Sequence, residues 1–167
     1  MTRNKVIFDL DGVLRDLSRA VFGQDPPYWH HKDCHGDNIF EVMEKYPGLL
    51  ITAPPTQYLR SLTGFDYITV VTNQVPWWIP NTSHWMRRNI CYEMNILYGV
   101  IYTTDPEEKL ELCKENDKYI VEDSPKLSCY DRVILVDRPY NRHVKCPIRV
   151  HSPKELHQEI RRINESV

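Results

Sequence analysis

Two aspartates separated by a single residue stand near the start of the chain. Asp9 and Asp11 directly follow an apolar run at residues 5–8, and Gly12 comes after them. The run contains β-branched and aromatic residues without a breaker, which predicts a short buried strand. Two carboxylates this close repel each other and are costly to bury, so we expect a positive group beside them, with a hard divalent cation as the natural candidate. The carboxyl ends of strands are also where open α/β sheets bind ligands.

Polar groups of complementary chemistry follow two later strands. Thr72 and Asn73 come at the end of the second predicted strand, where the threonine hydroxyl or a backbone N–H can bind a phosphate oxygen. Lys109 lies near the start of a predicted helix that follows the third strand, and its ammonium can neutralise a phosphoryl group. Lys114 and Lys118 lie nearby as alternatives. We favour Lys109 because the start of the helix is nearest the strand end.

A second acidic pair, Glu122 and Asp123, follows the fourth predicted strand. Each of these features alone has a simpler interpretation. A threonine after a strand is usually a turn residue, a lysine in a first turn is usually solvated, and an acidic pair is usually a helix cap. Their occurrence together, at successive strand ends and in this order, favours one shared site for a small phosphorylated substrate.

The elements that must position these groups alternate along the chain. Short, nearly all-apolar strands alternate with helical segments, which predicts an α/β fold with a doubly wound parallel sheet and right-handed crossovers. The predicted strands are residues 5–8, 67–71, 100–102, 119–121, 132–136 and 146–150, the last at an edge. The predicted helices are residues 54–62, 81 or 82 to about 95, 106–114, a short helix after Pro125, and 153–164.

Residues 15–54 separate the first strand from the next predicted element and read poorly as regular structure, apart from a short helix at 39–46. A long irregular insertion in a compact domain is more often functional than not. We therefore expect residues 15–54 to form a small cap, inserted into a core made of residues 1–14 and 55–167.

Several aromatic and arginine side chains bear on the choice of substrate. Tyr28 and Trp29 in the insertion, and Trp77 and Trp78 after the second strand, either stack on a nucleobase or pack in the interior. Arg15 and Arg138 either contact phosphate or sugar or are solvated surface charges, and we favour the second interpretation for both.

Composition excludes some classes of function and leaves the proposed chemistry open. The chain has 167 residues, 41% hydrophobic and 26% charged, which is typical of one globular domain. The formal net charge of −2 gives no support for nucleic-acid or membrane binding driven by bulk charge. We find no candidate membrane span and no signal peptide. Five cysteines without a C-x-x-C pair suit free thiols in a reducing cytosol, so we expect a cytoplasmic protein.

Residues 6–14 resemble motif I of the haloacid dehalogenase (HAD) superfamily of phosphohydrolases. Thr72 resembles motif II, Lys109 resembles motif III, and residues 122–123 resemble the acidic motif IV. The resemblance implies a Rossmann-like three-layer core with a parallel sheet, a small cap at residues 15–54, and a Mg²⁺-dependent mechanism with an aspartyl-phosphate intermediate.

Residues 121–125 and 133–140 are similar to the 5′(3′)-deoxyribonucleotidase branch of that superfamily. This resemblance implies hydrolysis of nucleoside monophosphates, with Asp9 as the nucleophile and Asp11 as general acid and then general base. Glu122 departs from the pattern, because many members carry Asp there.

The resemblance also implies a ligand set for Mg²⁺. Asp9, Asp123 and the backbone carbonyl of Asp11 would bind the ion, and Glu122 would support the site from behind its ligands. The implied contacts to the substrate phosphate are Thr72, Asn73 and Lys109.

Two alternatives remain open at this stage. The first keeps the chemistry and changes the substrate to a polynucleotide 3′-phosphate, a sugar phosphate or a phosphoprotein. The second is a non-catalytic binding protein on the same fold, since a fold alone does not determine a function. The presence of Asp9, Asp11 and Lys109 together favours the enzyme.

Overall fold

The computed structural model describes residues 4–166, which contain six strands in one all-parallel sheet. The spatial order of the strands is β3-β2-β1-β4-β5-β6. The predicted α/β class and parallel sheet are therefore confirmed. The strands are β1 (Val6–Phe8), β2 (Tyr67–Asn73), β3 (Leu97–Thr103), β4 (Tyr119–Glu122), β5 (Val133–Val136) and β6 (Ile148–Val150).

The order of the strands reverses between β1 and β4. From β1 the chain moves outward through β2 and β3, and it then returns to place β4 on the other side of β1. Phe8 is in register with Val70 of β2 and with Val121 of β4, and the N–H of Asp9 donates to the carbonyl of Val121 at 2.9 Å. The residues that follow β1, β2 and β4 consequently emerge side by side, at the point where open α/β sheets bind ligands.

Helices cover both faces of the sheet. Side chains alternate in direction along each strand, so each face carries its own apolar cluster under the helices. Phe8 and Val70 belong to a buried cluster on one face, whereas Ile7 and Val71 belong to a second cluster on the other. The α-helices are α1 (Leu17–Phe22), α2 (Ile39–Lys45), α3 (Leu49–Thr52), α4 (Ile79–Met86), α5 (Pro106–Glu115) and α6 (Pro153–Glu165). Short 3₁₀ helices lie at Gln57–Leu62, Pro76–Trp78 and Pro139–Asn141, and a π-helical turn lies at Arg87–Tyr92.

Three predicted helices differ from the structure. The segment 54–62 forms a 3₁₀ helix at Gln57–Leu62 rather than an α-helix. The helix expected from residue 81 or 82 begins earlier, at Ile79, since a proline is tolerated in its first turn. The helix expected after Pro125 is wrong. There the chain makes consecutive turns closed by i→i+3 hydrogen bonds, including Leu127 N–H to Ser124 O at 3.3 Å.

The insertion at residues 15–54 contains more regular structure than its sequence suggests. Helix α1 is capped by the Asp16 side chain, and α2 carries a capping box formed by Asn38 and Glu41. Leu17, Met43 and Leu50 of this segment form a separate apolar cluster that also includes Trp78 of the core. The insertion is thus packed onto the core next to the end of β2. Across the described residues, no helix combines the length and apolarity needed to cross a membrane.

Helix α6 provides a direct test of the core. It buries Leu156, Ile160 and Ile163 against the sheet, as its sequence pattern predicts. Ile160 is only 1% exposed, so replacing it with Ala should lower the free energy of unfolding by about 2–5 kcal/mol, measured by urea denaturation. The matched control is Arg161→Ala on the exposed face of the same helix, which should leave stability unchanged. Equal effects of the two changes would contradict this packing.

Candidate active site

A buried ion cluster lies where β1 and β4 end. The ammonium of Lys109 lies 2.8 Å from Asp9 Oδ1 and 2.9 Å from Glu122 Oε2. All three side chains are almost completely buried, as is that of Asp123. One lysine therefore connects the carboxylate that follows β1 with a carboxylate at the end of β4.

Helix α5 carries Lys109 to this position. Its first turn is fixed by Asp105, whose carboxylate accepts the N–H of Glu107 at 2.8 Å, and by Pro106 at the first helical position. The alternatives considered from the sequence lie elsewhere, because Lys114 contacts the ring of Tyr130 and Lys118 donates to the carbonyl of Asn4. Of these three lysines, Lys109 is the one that lies beside Asp9 and Glu122.

Glu122 uses both carboxylate oxygens to organise its surroundings. Oε2 accepts from Lys109, and Oε1 accepts the backbone N–H groups of Asp123 at 2.9 Å and Ser124 at 3.1 Å. This arrangement fits the supporting role implied for Glu122, in which it orients the lysine and the turn after β4.

Asp123 is held from the opposite side by the turn after β5. The hydroxyl of Tyr140 donates to Asp123 Oδ2, and the side-chain amide of Asn141 donates to the Asp123 carbonyl at 2.8 Å. Gly12 lies directly against the same carboxylate. A Cβ at position 12 would collide with Asp123 Oδ2, and the backbone there has φ +81°, which glycine adopts most readily.

Asp11 faces away from this cluster and pairs with Arg15. The guanidinium of Arg15 donates through Nε to Asp11 Oδ1 at 2.6 Å and through a terminal nitrogen to Oδ2 at 3.0 Å. Gln74 donates from its amide to Asp11 Oδ2 at 2.7 Å and to the Thr72 hydroxyl at 3.2 Å. The side chain of Asp11 therefore lies outside the cluster of Asp9, Glu122 and Asp123.

The expectation that Arg15 and Arg138 are solvated is wrong for both residues. Arg15 is 0% exposed and Arg138 is 6% exposed. Arg138 donates to the carbonyl of Gly12 at 3.0 and 2.6 Å and contacts Asp25 of the insertion at 3.2 Å. Each arginine finds carboxylate or carbonyl acceptors in the interior, which is what allows a guanidinium to be buried.

The buried acids of the cluster shift one another's pKa values. Burial and the charge of Glu122 raise the pKa of Asp9 to about 8. Burial, with Glu122 and Asp9, also raises the pKa of Asp123 well above its usual value. Although burial opposes it, the two carboxylates next to Lys109 raise the pKa of this lysine, so it stays charged. One ammonium thus faces three acids.

A divalent cation fits this donor set. One carboxylate oxygen each from Asp9, Glu122 and Asp123 lie within 4.8 Å of one another. These are the hard oxygen donors that Mg²⁺ prefers, and a dication would supply the positive charge that Lys109 alone does not. Because both Glu122 oxygens already accept hydrogen bonds, Asp9 and Asp123 are the better candidates for direct ligands.

A cavity of about 440 Å³ opens above the cluster, between the sheet and the insertion. Trp29 and Phe40 from the insertion, and Trp78 from the core, contribute aromatic surface to its wall. Tyr28 and Trp77 are not part of that wall. Trp77 is 64% exposed and donates through its indole N–H to Glu44. The predicted site residues that do line the cavity are Asp9, Asp11, Trp29, Thr72, Asn73, Lys109, Glu122 and Asp123.

Comparison of the chain with protein-family models gives no match, and comparison with curated proteins gives none either.

The sequence did not indicate Gln74 and Tyr140 as members of this site, and it favoured solvated positions for Arg15 and Arg138, which also belong to it. Gln74 comes two residues after Thr72, directly after the end of β2, and this position is a sequence signal for membership of the site. Arg138 and Tyr140 follow the fifth strand in the same way that the acidic pair follows the fourth. The side-chain directions that make these residues partners of Asp11, Gly12 and Asp123 had no signal in the sequence.

Gly12 offers a test of how closely the two loops approach. Gly12→Ala places a methyl group against Asp123 and also forces alanine into a left-handed conformation. Gly23→Ala is the matched control, because its φ of +75° imposes a similar strain while nothing lies within 4 Å of the added Cβ. We expect Gly23→Ala to cost about 1–2 kcal/mol of unfolding free energy, and Gly12→Ala to cost a further ~1–3 kcal/mol. If urea denaturation gave the same loss for both, the Gly12–Asp123 contact would be refuted.

Proposed function

We propose that this chain is a Mg²⁺-dependent phosphomonoesterase of the HAD type, which hydrolyses nucleoside monophosphates through an aspartyl-phosphate on Asp9. The observation that carries the proposal is the ion cluster itself. Asp9 lies at the end of β1, 2.8 Å from the ammonium of Lys109, with Asp123 close by and a ligand-sized cavity above them. A nucleophilic carboxylate, a phosphate-neutralising lysine and a pair of metal-type acids are the groups that phosphoryl transfer needs.

The carboxylates of Asp9 and Asp123, with the backbone carbonyl of Asp11, would hold the metal ion. When bound, Mg²⁺ supplies positive charge against the phosphoryl oxygens and against the buried carboxylates. The remaining chemistry belongs to the side chains of this chain.

In the first half of the reaction, a carboxylate oxygen of Asp9 attacks phosphorus while the substrate phosphate lies beside Thr72 and Lys109. Asp11, in its protonated form, gives its proton to the leaving oxygen as the bond from that oxygen to phosphorus breaks. The products are the free alcohol and a phosphoryl group on Asp9. Lys109 balances the charge that develops on the phosphoryl oxygens.

In the second half, Asp11 accepts a proton from a water molecule whose oxygen attacks the same phosphorus. The bond between phosphorus and Asp9 breaks, inorganic phosphate is released, and Asp11 is protonated again for the next cycle. Unaided hydrolysis of phosphate monoesters is so slow that enzymes accelerate it by up to ~10²¹-fold. Charge stabilisation by buried groups such as Lys109 must therefore contribute as much as the nucleophile does.

The insertion at residues 15–54 acts in this proposal as the cap that selects the substrate. Its α1 and α2 helices contribute Phe22 and Phe40 to the cavity wall. The ring centroids of Trp29 and Tyr140 are 5.5 Å apart. A cavity of about 440 Å³ is within the usual range for small ligands and has aromatic walls suited to a nucleobase. These walls and the net charge of −2 favour a mononucleotide over a polynucleotide end.

The nucleophile and the metal requirement are tested together. Phosphate release from a nucleoside monophosphate should require Mg²⁺ and should stop when the metal is chelated. Asp9→Asn should lower the rate by about 10³-fold or more, because the amide is not a nucleophile. Asp131→Asn removes the same charge from an exposed position and should leave the rate unchanged. Full activity of the Asp9 variant would rule out the proposed mechanism.

The substrate class is tested with a panel of phosphate esters and two tryptophan variants. We expect kcat/KM to be highest for nucleoside monophosphates and lower for sugar phosphates, phosphopeptides and oligonucleotides with a terminal 3′-phosphate. Trp29→Ala should raise KM for the best nucleotide by about 5- to 150-fold, as loss of a stacking contact predicts. Trp77→Ala, outside the cavity wall, is the matched control and should have no such effect. A preference for sugar phosphates would exclude the nucleotide part of the proposal.

A further inference from the structure

Arg15 is the most fully enclosed charged side chain of the site, and its charge is directed at Asp11. It is 0% exposed, whereas the Asp11 side chain remains 24% exposed toward the cavity. The two residues form a two-pronged pair, with Nε to Oδ1 at 2.6 Å and a terminal nitrogen to Oδ2 at 3.0 Å. Such a fork fixes the plane of the carboxylate as well as its position.

The rest of the guanidinium is fixed as firmly. Its other terminal nitrogen donates to the carbonyl of Leu50 at 2.9 Å, and both terminal nitrogens lie within 3.3 Å of the Thr82 hydroxyl. The ring of Trp85 lies beneath it, 5.7 Å from the guanidinium carbon. Arg15 thus has one orientation, set by the last helix of the insertion and by α4.

Gln74 closes the network on the side of the phosphate site. Its amide nitrogen donates to Asp11 Oδ2 at 2.7 Å and to the Thr72 hydroxyl at 3.2 Å, while its carbonyl accepts the Thr82 hydroxyl at 3.0 Å. Thr82 therefore contacts both Arg15 and Gln74, the two residues that hold Asp11. Any rotation of the Asp11 carboxylate would break one of these hydrogen bonds.

The pattern of donors also distinguishes the two oxygens of Asp11. A carboxylate offers about four lone-pair sites. Within the described part of the chain, Oδ2 accepts from Arg15 and Gln74, and Oδ1 accepts from Arg15 Nε alone. The remaining acceptor site is on Oδ1, so this oxygen is the one left open to the reacting groups.

Stability alone is a weak reason for this arrangement, because buried ion pairs replaced by apolar residues often leave a protein no less stable. Positioning is a stronger reason, since a misplacement of about 1 Å in a reacting group can cost roughly 100-fold in rate. We propose that Arg15 is a positioning residue, which holds Asp11 so that its Oδ1 delivers and recovers the proton of the reaction. This inference rests on the phosphatase function proposed above.

In that reaction the proton passes from Asp11 Oδ1 to the leaving oxygen as its bond to phosphorus breaks and the bond from Asp9 to phosphorus forms. A good leaving group departs as a stable anion and does not need the proton, whereas an alkyl oxygen does. The contribution of Arg15 should consequently depend on the leaving group.

The test compares two esters of nearly equal size, p-nitrophenyl phosphate and p-nitrobenzyl phosphate, by kcat/KM, which reports the steps up to cleavage of the ester. Arg15→Met should lower kcat/KM for the benzyl ester by about 100-fold and leave the value for the phenyl ester nearly unchanged. Arg15→Lys keeps the charge but not the fork, so it should show the same selective loss, smaller in size. Arg88→Met makes the same change at an exposed position and should leave the ratio of the two esters at the wild-type value.

Circular dichroism and urea unfolding confirm that each variant is folded, and if Arg15→Met is not, Arg15→Lys decides the question. Equal losses on the two esters in a folded variant would show a merely structural role and overturn the inference alone. A wild-type chain that releases phosphate from neither ester nor from nucleotides would overturn the proposed function, and the inference with it.

Discussion

The ammonium of Lys109, held between the carboxylates of Asp9 and Glu122, is the interaction on which the rest of the site depends. Removing one partner from a buried ion pair leaves an uncompensated charge that costs several kcal/mol. The fold places these groups together through three independent elements, because β1 and β4 are neighbours and α5 reaches across the sheet to both. Asp123 adds a third acid, so a further cation would stabilise the ionised form of the cluster.

Two buried arginines connect the loop after β1 to other parts of the structure. Arg15 joins Asp11 to the carbonyl of Leu50, and Arg138 joins the carbonyl of Gly12 to Asp25. The loop after β1 is thus tied to both the early and the late part of residues 15–54. In the proposed enzyme, a segment that lines the cavity and shares polar contacts with this loop would link substrate entry to the geometry of the site. Aromatic contact between Trp29 and Tyr140 adds a third connection, since Tyr140 also donates to Asp123.

Sequence patterns were sufficient for the fold class and for the acids. Parallel strands with both faces covered read as continuous apolar runs, and the polar residue that ends each run marks the edge where ligands bind. The same rule identified Lys109, because a proline and a capping aspartate mark the start of α5. These signals are local in sequence, which is why they could be read without a structure.

The hydrogen-bond partners of the buried polar side chains could not be predicted from such local patterns. Arg138 and Gly12 are 126 residues apart in sequence, and an arginine that will be buried has the same local pattern as one that will be solvated. Helix α1 was missed because it is only six residues long, although Asp16 and Gly23 provide the expected signals at its two ends. The sequence predicts a helix after Pro125 where the structure has turns, because a proline after a capping residue is compatible with both.

The central claim is that a phosphoryl group passes through Asp9, and trapping it there is the most direct test. Turnover of a phosphomonoester would be stopped with borohydride, which reduces an acyl phosphate on aspartate to homoserine, and the site of reduction located by peptide mass spectrometry. Our account predicts homoserine at position 9, dependent on both substrate and Mg²⁺. Phosphate release without modification of Asp9, or with reduction at another acidic residue, would contradict it.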